Sequence, residues 1–352
     1  MIVIADDITG AAEMAGIAHS HGLPVRLVCG CGTATSGTTV IATDTRSMTE
    51  EEAVAETQRI ASSLPKQGGA GGGSLFKKTD SALRGHVVAE LSALMEATGY
   101  QRTVYLPANP SKGRVIRAGT YYINNTPIHE TAFSYDPEFP ATTSVLKERF
   151  PDAESKGILM PDAENTADIR KVIADYDDGH TLFAGAADLF EETIGTIETI
   201  ETIDTIAPKS TIFLCGSTQS QPLDLGIPVT AMPLDIYDGS KDIFPWLKEA
   251  ERLYTQQGSL MITIPHRHRT GKEVAIHLRE TTARLIQYLV EKQQPQQLII
   301  EGGASAFATL RHLGWNELEV VSQLAPGVIK TKAPNGTFVI MKPGSYPWGS
   351  LF

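Results

Sequence analysis

The chain opens on Ile2-Val3-Ile4-Ala5-Asp6-Asp7-Ile8-Thr9-Gly10-Ala11-Ala12, an apolar run that ends in two aspartates and turns through Thr-Gly into an alanine-rich segment. The apolar run predicts a buried strand, and the segment after it predicts a helix that Thr9 caps. Ligands of open α/β sheets bind beyond the carboxyl ends of the strands. We therefore expect Asp6 and Asp7 to lie at the edge of a binding site.

The two adjacent carboxylates allow several roles. They can accept protons from hydroxyl groups, coordinate Mg²⁺ or act as a general base. A purely structural aspartate at this position would cap the helix instead. The preference of α/β sites for strand ends favours a functional interpretation of Asp6 and Asp7.

Strand-like and helix-like segments alternate along the first part of the chain. Strands are predicted at 2–5, 24–29, 39–43, 75–78, 103–106, 157–160 and 181–184. Helices are predicted from residue 50, where residues 49–52 form a capping box, and over 86–98. The region 121–139, rich in Pro, Asn and aromatic residues, predicts a hairpin or a long loop. This order indicates βαβ units around a largely parallel sheet.

A repeat at 193–208, TIGTIETIETIDTIAP, suits neither a helix face nor a strand and is interpreted as a connection between two domains. We predict domains at 1–209 and 210–352. Strands of the second domain are predicted at 211–215, 228–232, 260–264, 297–300, 318–321 and 337–341, and helices at 243–254, 272–290 and 305–313. The predicted fold class is α/β, with two domains that each have a largely parallel sheet flanked by helices.

Composition limits the possible functions. The 352 residues exceed one ordinary domain, and a net charge of -11 argues against nucleic acid or an acidic membrane surface as a partner. An anionic substrate must therefore meet local cations.

The chain has neither an apolar run of about 18 residues nor a signal sequence at its start, which predicts a cytoplasmic protein. Cys29, Cys31 and Cys215 suit neither a disulfide framework nor a zinc site and are expected to be reduced.

Residues 76–85, FKKTDSALRG, form a polar turn after a predicted strand. The polar side chains are Lys77, Lys78, Thr79, Asp80, Ser81 and Arg84. The cations can hold an anionic group, the carboxylate and hydroxyls can bind sugar hydroxyls, and Gly85 permits close approach of the backbone. The alternative is a solvated turn with a surface ion pair.

The second domain contains a glycine turn after a predicted strand. The stretch 301–306, EGGASA, opens a helix, and such a turn presents backbone N–H groups and a helix dipole to an anion. A tight connection without a ligand is the alternative. The motif GxxxxGK[ST] does not occur, which excludes a P-loop kinase.

These motifs together resemble the four-carbon acid sugar kinases, a family that includes threonate, erythronate and oxo-tetronate kinases. The resemblance covers nearly the whole chain. It rests on IADDITGA (4–11), IATDTRS (41–47), KKTDSALRG (77–85), LPANPSKGR (106–114), TYYINNTPIHETAFSYDPEFP (120–140), LCGSTQS (214–220), EGGASA (301–306), APG (325–327) and MKPGS (341–345).

The resemblance implies that the amino-terminal domain binds the sugar acid and the carboxyl-terminal domain binds ATP, with Mg²⁺. It implies ATP contacts at Ser217, Gly302, Gly303, Ala304, Ser305 and Gly344. Many relatives carry a Thr-Gly-Gly-Asp turn and a Lys-Ser-Gly-Gly ending where this chain has EGGAS and KPGS. Glu301 is therefore a candidate to replace the missing aspartate in its contacts to magnesium or ribose.

We expect phosphoryl transfer from MgATP to a terminal hydroxyl of a four-carbon sugar acid, the 4-hydroxyl by the resemblance. Asp7 is the preferred base, with Asp6 or Asp80 as competitors. The substrate-binding residues are expected to be Asp6, Lys78, Asp80, Ser81, Arg84 and Gly85. Among these, Lys78 and Arg84 would hold the substrate carboxylate, and Asp80 and Ser81 its hydroxyls.

Two alternatives belong to other functional classes. In a metal-dependent hydrolase, Asp6, Asp7 and Asp44 would hold a cation that activates water. A non-catalytic sugar-acid sensor would keep the first pocket and lose the nucleotide turn. Titration with ATP analogues separates the kinase from both.

Overall fold

A computed structural model describes residues 1–30, 37–64, 74–136, 138–195, 206, 210–217, 223–265, 271–344, 348 and 351–352. The chain divides into two compact units. The first consists of Met1–Val25 with Gly30–Thr199, and the second of Arg26–Cys29 with Ile200–Phe352. Most of the connection predicted at 193–208, and the domain boundary predicted at residue 209, lie outside the described residues and stay predictions.

The first unit alternates strands and helices. The strands of this part of the chain are β1 (Ile2–Ala5), β2 (Val25–Cys29), β3 (Thr38–Ala42), β4 (Leu75–Lys78), β5 (Arg102–Leu106), β6 (Arg114–Arg117), β7 (Thr120–Ile123), β8 (Thr126–Pro127), β9 (Ile158–Leu159) and β10 (Thr181–Gly185). The helices are α1 (Ile8–Ser20), α2 (Glu50–Ala61), α3 (Val87–Thr98), α4 (Leu146–Arg149), α5 (Thr166–Tyr176) and α6 (Ala187–Ile194). The predicted α/β class is confirmed.

The main sheet of this unit is parallel, in the order β3-β1-β4-β10-β5-β9. Strands β1 and β3 are buried along their whole length, as expected for a parallel sheet with helices on both faces. The chain leaves β1 towards β3 on one side and later returns to β4 on the other. The carboxyl end of β1 is therefore a topological switch point, where α/β folds bind their ligands.

A small antiparallel sheet in the order β6-β7-β8 extends into the start of the region predicted as a hairpin or loop. Its first strand, β6, precedes that region and was not predicted. After β8 the chain continues through short 3-10 turns at Ile128–Glu130 and Ala132–Tyr135. The hairpin interpretation is thus confirmed for β7, which pairs with a strand on each side.

Helix α1 begins differently from the prediction. Asp7 is its N-cap, with an extended backbone and an Oδ1 that accepts a hydrogen bond from Gly10 N at 2.8 Å. Thr9 lies inside the first turn and donates its hydroxyl to Asp7 Oδ2 at 2.5 Å. The prediction that Thr9 caps the helix was wrong, because the helix starts two residues earlier than a Thr9 cap requires. The capping box that opens α2 is confirmed, since Thr49 and Glu52 bond each other's backbone N–H.

The second unit contains strands β11 (Thr211–Cys215), β12 (Val229–Ala231), β13 (Leu260–Thr263), β14 (Gln297–Glu301), β15 (Glu317–Ala325), β16 (Val328–Lys332) and β17 (Phe338–Lys342). Its helices are α7 (Leu234–Tyr237), α8 (Phe244–Gln257), α9 (Lys272–Gln293) and α10 (Gly303–Leu313). Strands β12-β13-β11-β14-β17 are parallel, and β16 and β15 continue the sheet antiparallel. Strand β2 pairs antiparallel with β15. Strand β16 was not predicted.

Two further predictions concern the cysteines and membrane-spanning segments. Cys29 and Cys215 are free and buried, and burial raises the pKa of each thiol to about 12. Cys31 lies outside the described residues. Within the part of the chain that the structure describes, every helix is too short or too polar to cross a bilayer.

Candidate functional site

Three loops of the first unit leave the parallel sheet at the same edge. The register places Ala5 of β1 opposite Ala42 of β3 and Lys78 of β4. The loop that starts at Asp6, the turn after β3 and the turn after β4 therefore emerge side by side. Strand order alone brings together the amino-terminal aspartates and the polar turn at 79–85.

Arg46, in the turn after β3, lies at the centre of this edge. Its Nε donates to Asp6 Oδ2 at 2.9 Å and its Nη1 to Asp7 Oδ2 at 3.0 Å. Its Nη2 lies 2.8 Å from Asp6 Oδ2 and 3.8 Å from Asp80 Oδ1. One guanidinium thus joins residues from all three loops. No role was predicted for Arg46, although it is the only cation in the stretch 41–47.

The three carboxylates differ in their pKa. Burial raises the pKa of Asp6 above its usual value, and the attraction of Arg46 does not fully offset this. Burial also acts on Asp7, but Arg46 and Lys78 outweigh it and hold the pKa of Asp7 below its usual value. At Asp80, Arg46 and Arg84 overcome burial and hold the pKa far below the usual range. Asp7 and Asp80 are therefore firmly ionised, and Asp6 is the carboxylate of the three that takes a proton most readily.

One carboxylate oxygen of Asp6 can accept a further hydrogen bond. Its Oδ1 is buried and has no hydrogen-bond partner among the described residues. A buried carboxylate oxygen without a donor is costly, and a ligand hydroxyl would satisfy it. Gly85 borders the same carboxylate, because a Cβ at residue 85 would lie 3.5 Å from Asp6 Oδ2, and its φ of +93° suits glycine.

The two lysines at the end of β4 are both engaged. Lys77 Nζ forms an ion pair with Glu90 Oε2 of α3 at 2.6 Å, and both side chains are buried. Lys77 therefore does not belong to the open group of cations that the sequence indicated. Lys78 Nζ donates to Thr79 O at 2.7 Å and lies 3.8 Å from Glu13 Oε2. It lies under the first turn of α1, since a Cβ at Gly10 would be 3.3 Å from it.

Asp80 organises the turn after β4. Its Oδ2 accepts hydrogen bonds from Ala82 N at 3.1 Å and from Arg84 Nε at 2.8 Å, while its Oδ1 accepts from Arg84 Nη2 at 3.1 Å. Arg84 also reaches Asp136 Oδ2 at 3.5 Å. Leu83 adopts a left-handed backbone with a φ of 62°, which this network supports. Ser81 accepts a hydrogen bond from Arg114 through its hydroxyl.

Asp44, the third carboxylate of the hydrolase alternative, begins the turn that carries Arg46 and has a left-handed φ of 59°. Over the described ranges, no group of three or more His, Cys, Asp or Glu residues is arranged to hold a metal ion. Asp6, Asp7 and Asp44 therefore do not form the three-carboxylate ligand set that the hydrolase alternative requires. The guanidinium of Arg46 lies against two of them instead.

A second edge, in the second unit, collects the residues predicted to bind nucleotide. Cys215 of β11 lies opposite Glu301 of β14, and Glu301 lies opposite Lys342 of β17. The turns that follow these strands meet closely: a Cβ at Gly302 would lie 3.3 Å from the Gly216 backbone, and one at Gly344 would overlap Ser217 Oγ. The structure therefore brings the predicted residues of all three turns together.

Helix α10 starts from this edge without a side-chain cap, because its N-cap is Gly302 with a φ of 105°. Ser305 is buried and donates its hydroxyl to Gly216 O at 3.3 Å, while Ala304 is exposed in the first turn. Gly303 opens the helix between them. The arrangement offers backbone N–H groups and a helix dipole, and the residues at the start of the helix, Gly302, Gly303 and Ala304, have small side chains.

Glu301 does not fit the role of a magnesium ligand. Its Oε1 forms an ion pair with Lys342 Nζ at 2.6 Å, and the two side chains are 2% and 0% exposed. Lys342 also donates to Pro343 O at 2.9 Å and lies 4.9 Å from the Trp348 ring. A metal ion at Glu301 would have to break a buried ion pair, which is expensive. The candidate substitution for the missing aspartate is thus not supported.

Two family models match the chain in agreement with these two edges. The sugar-binding N-terminal domain matches residues 1–155, and the nucleotide-binding C-terminal domain matches residues 227–346. The chain belongs to the four-carbon acid sugar kinase family. The first match contains the edge at which Arg46 meets the aspartates, and the second contains the glycine turn at 302–305 and Gly344.

Individual relatives share only part of their length with the chain. A D-threonate kinase of Salmonella typhimurium is 30% identical over 151 residues, which are 42% of this chain and 35% of that protein. A 3-oxo-tetronate kinase of Escherichia coli is 32% identical over 160 residues, which are 44% of this chain and 41% of that protein. The chain thus spans well under two thirds of the length of the curated relatives it matches.

Solved structures share the fold over the whole chain. A Salmonella typhimurium protein superposes with a TM-score of 0.76 at 18% identity, over 99% of this chain and 97% of that one. A Haemophilus influenzae protein from a domain-of-unknown-function family gives a TM-score of 0.70 at 19% identity, over 100% and 98%. At this identity the likeness establishes the fold alone.

Proposed function

We propose that the chain is an ATP-dependent kinase that phosphorylates the terminal 4-hydroxyl of a four-carbon sugar acid such as threonate, erythronate or an oxo-tetronate. The observation that carries the proposal is the cluster in which Arg46 joins Asp6, Asp7 and Asp80 at the switch point of the sheet. Family membership and the names of the relatives agree with it. A reaction that consumes ATP also suits a cytoplasmic location.

In this proposal Asp7 orients or deprotonates the acceptor hydroxyl. Its carboxylate is ionised, it is 18% exposed, and it is held by Arg46 and by the start of α1. Asp6, which is 4% exposed, would accept a second substrate hydroxyl through its unpaired Oδ1. The base contributes by positioning and charge, as phosphoryl transfer requires little covalent chemistry from the protein.

Asp80, Ser81 and Gly85 would line the rest of the sugar-acid site. Lys78 and Arg84 border it, and both already face protein carboxylates. Their contribution is therefore to balance the charge of Glu13 and Asp80 and to hold the loops in place. A direct grip on the substrate carboxylate would require either cation to share its partner.

For the nucleotide we propose the glycine-lined edge of the second unit. The phosphates would approach Gly302, Gly303 and Ala304, where the first turn of α10 presents its N–H groups. The surrounding contacts would come from Ser217, Ser305 and Gly344. Magnesium would neutralise phosphate charge when bound with ATP. We assign the sugar-acid site to residues 1–209 and the nucleotide site to 210–352.

The experiment that tests the proposal is a coupled ADP-release screen over D- and L-threonate, D- and L-erythronate and their 3-oxo forms. We expect turnover with at least one acid and a product phosphorylated at the terminal carbon, identified by mass spectrometry and NMR. ATP binding without turnover of any acid would contradict phosphorylation of a four-carbon acid and favour a kinase that acts on another class of acceptor. Failure to bind ATP analogues would favour a sensor.

A further inference from the structure

Arg114, the first residue of β6, differs in its partners from Lys78 and Arg84, the two cations predicted to bind the substrate carboxylate. Lys78 faces Glu13, and Arg84 is held by Asp80. Arg114 donates through Nη1 to the Ser81 hydroxyl, and no described residue gives it a carboxylate partner. The positive charge of Arg114 therefore lies next to Ser81 without an ion pair to any carboxylate of the described residues.

The guanidinium of Arg114 is nevertheless held in place. Two backbone hydrogen bonds tie the residue to Asn109, with N–O distances of 2.7 and 3.1 Å. The Phe133 ring lies 5.8 Å from the Arg114 guanidinium carbon and 5.9 Å from that of Arg84. The ring thus contacts two guanidinium groups, which is a favourable cation–π arrangement. Arg114 is half-buried, so its charge is only partly screened by water.

We propose that Arg114, together with the Ser81 hydroxyl, binds the carboxylate of the sugar acid. This inference rests on the proposed function and names the recognition element of that same site. A planar guanidinium matches a carboxylate with two parallel hydrogen bonds, and such charge-assisted pairs are among the strongest in proteins. In a chain with a net charge of -11, a cation without a carboxylate partner provides a local positive charge that attracts an anionic group.

The position of Ser81 supports the orientation of the substrate. Ser81 follows Asp80, whose carboxylate faces Arg46, and Arg46 in turn contacts Asp7. Tyr121 fixes the Ser81 backbone by donating its hydroxyl to Ser81 O at 2.5 Å. The carboxylate end of the substrate would lie towards Ser81 and Arg114, and the reacting hydroxyl towards Asp7.

The test compares Arg114→Met with Arg117→Met. Arg117 lies on the same strand, is exposed, pairs with Glu164 and covers the Tyr122 ring at 5.4 Å, so it is a matched arginine away from the site. For each protein, kcat/KM is measured with the preferred acid and with the polyol of the same stereochemistry, in which a hydroxymethyl group replaces the carboxylate. Calorimetry of acid binding without ATP gives a second readout.

We expect Arg114→Met to raise the KM and the Kd of the acid about 10- to 100-fold and to leave kcat/KM for the polyol unchanged. Arg114→Lys should recover part of the loss, because it restores the charge without the planar fork. Ser81→Ala should weaken acid binding in the same direction and by less. Arg117→Met should behave as the parent.

The results separate this inference from the proposed function. If the parent phosphorylates a sugar acid and Arg114→Met keeps the full preference for acid over polyol, Arg114 does not bind the carboxylate and the kinase assignment stands. An equal loss for acid and polyol would likewise overturn carboxylate recognition in favour of a general packing role. If the parent phosphorylates no acid and binds none, the proposed function fails and this inference fails with it.

Discussion

Lys77 Nζ and Glu90 Oε2 lie 2.6 Å apart, with side chains that are 1% and 2% exposed. The same Glu90 oxygen accepts a hydrogen bond from Thr45 Oγ1 at 2.9 Å, and Thr45 precedes Arg46 in the turn after β3. A fully buried ion pair thus supports the turn that carries the central cation of the site. Its role is structural, and it removes Lys77 from the cations available to a substrate.

Glu90→Gln should destabilise the protein by about 3 to 5 kcal/mol, because it leaves the Lys77 ammonium buried without a counter-charge. Urea unfolding at neutral pH measures the change. The double variant Lys77→Met with Glu90→Leu should recover much of the loss, since it removes both charges at once. As a control, Lys171→Met breaks an exposed ion pair with Asp175 and should leave the urea concentration at the midpoint of unfolding unchanged. Equal losses in the single and double variants would contradict the buried-charge explanation.

Asp7→Asn should lower kcat about 10²- to 10⁴-fold with little change in ATP affinity, because it removes the proposed base and keeps its shape. Asparagine is also a good N-cap and can still accept the hydrogen bond from Gly10 N. Asp7→Ala removes the cap as well and should be less stable by about 1 kcal/mol. Steady-state kinetics and thermal unfolding separate the two effects.

Asp6→Asn is the comparison for this prediction. Asp6 and Asp7 both contact Arg46, so charge loss near the guanidinium is common to the two variants. We expect the smaller fall in kcat for Asp6→Asn. Near-normal kcat in Asp7→Asn with a collapse in Asp6→Asn would transfer the role to Asp6, whose raised pKa makes it the better proton acceptor.

Asp80→Asn should destabilise the protein at neutral pH by about 1.5 to 3 kcal/mol, the range for hydrogen bonds to charged groups. Burial opposes ionisation of Asp80, but Arg46 and Arg84 hold its pKa far below the unfolded value of 3.8. The stabilisation is therefore complete above the unfolded pKa and is lost as the pH falls towards the folded pKa. The difference in the free energy of unfolding between parent and variant should be constant from about pH 6 to 8 and should become smaller below about pH 4. Urea unfolding at a series of pH values measures this difference. If the difference in the free energy of unfolding is as large at pH 3.5 as at neutral pH, the charge of Asp80 does not cause it.

Gly303→Val should weaken ATP binding at least tenfold by blocking the approach of phosphates to the start of α10. Calorimetry with a non-hydrolysable ATP analogue measures this affinity. The affinity for the sugar acid should be unaffected. Arg311→Met, in the last turn of the same helix, breaks an exposed pair with Glu280 and serves as the control. A Gly303→Val protein that binds the analogue as tightly as the parent would place the nucleotide elsewhere.

The local pattern of the sequence determined the fold class and most of the elements. Apolar runs of strand length, the glycine turns and the capping box at Thr49 depend only on neighbours in the chain, so β1, β4, β11 and α2 begin where the pattern indicates. Strands β6 and β16 were missed. Their short, polar-interrupted segments become strands only through antiparallel neighbours that the sequence does not identify.

The residue types at the strand ends of the candidate site could be predicted from the sequence. The contacts between their side chains could not. Asp6, Asp80 and the glycines were predicted because α/β folds bind their ligands at the carboxyl ends of parallel strands, which can be located from local sequence. The strand order β3-β1-β4 decided that Arg46 meets those aspartates. The position of helix α3 decided that Lys77 pairs with Glu90, and the pairing of β14 with β17 decided that Lys342 neutralises Glu301. The physical reason is that the energy of a charge depends on its burial and on the groups within a few ångströms, and these are properties of the packed chain.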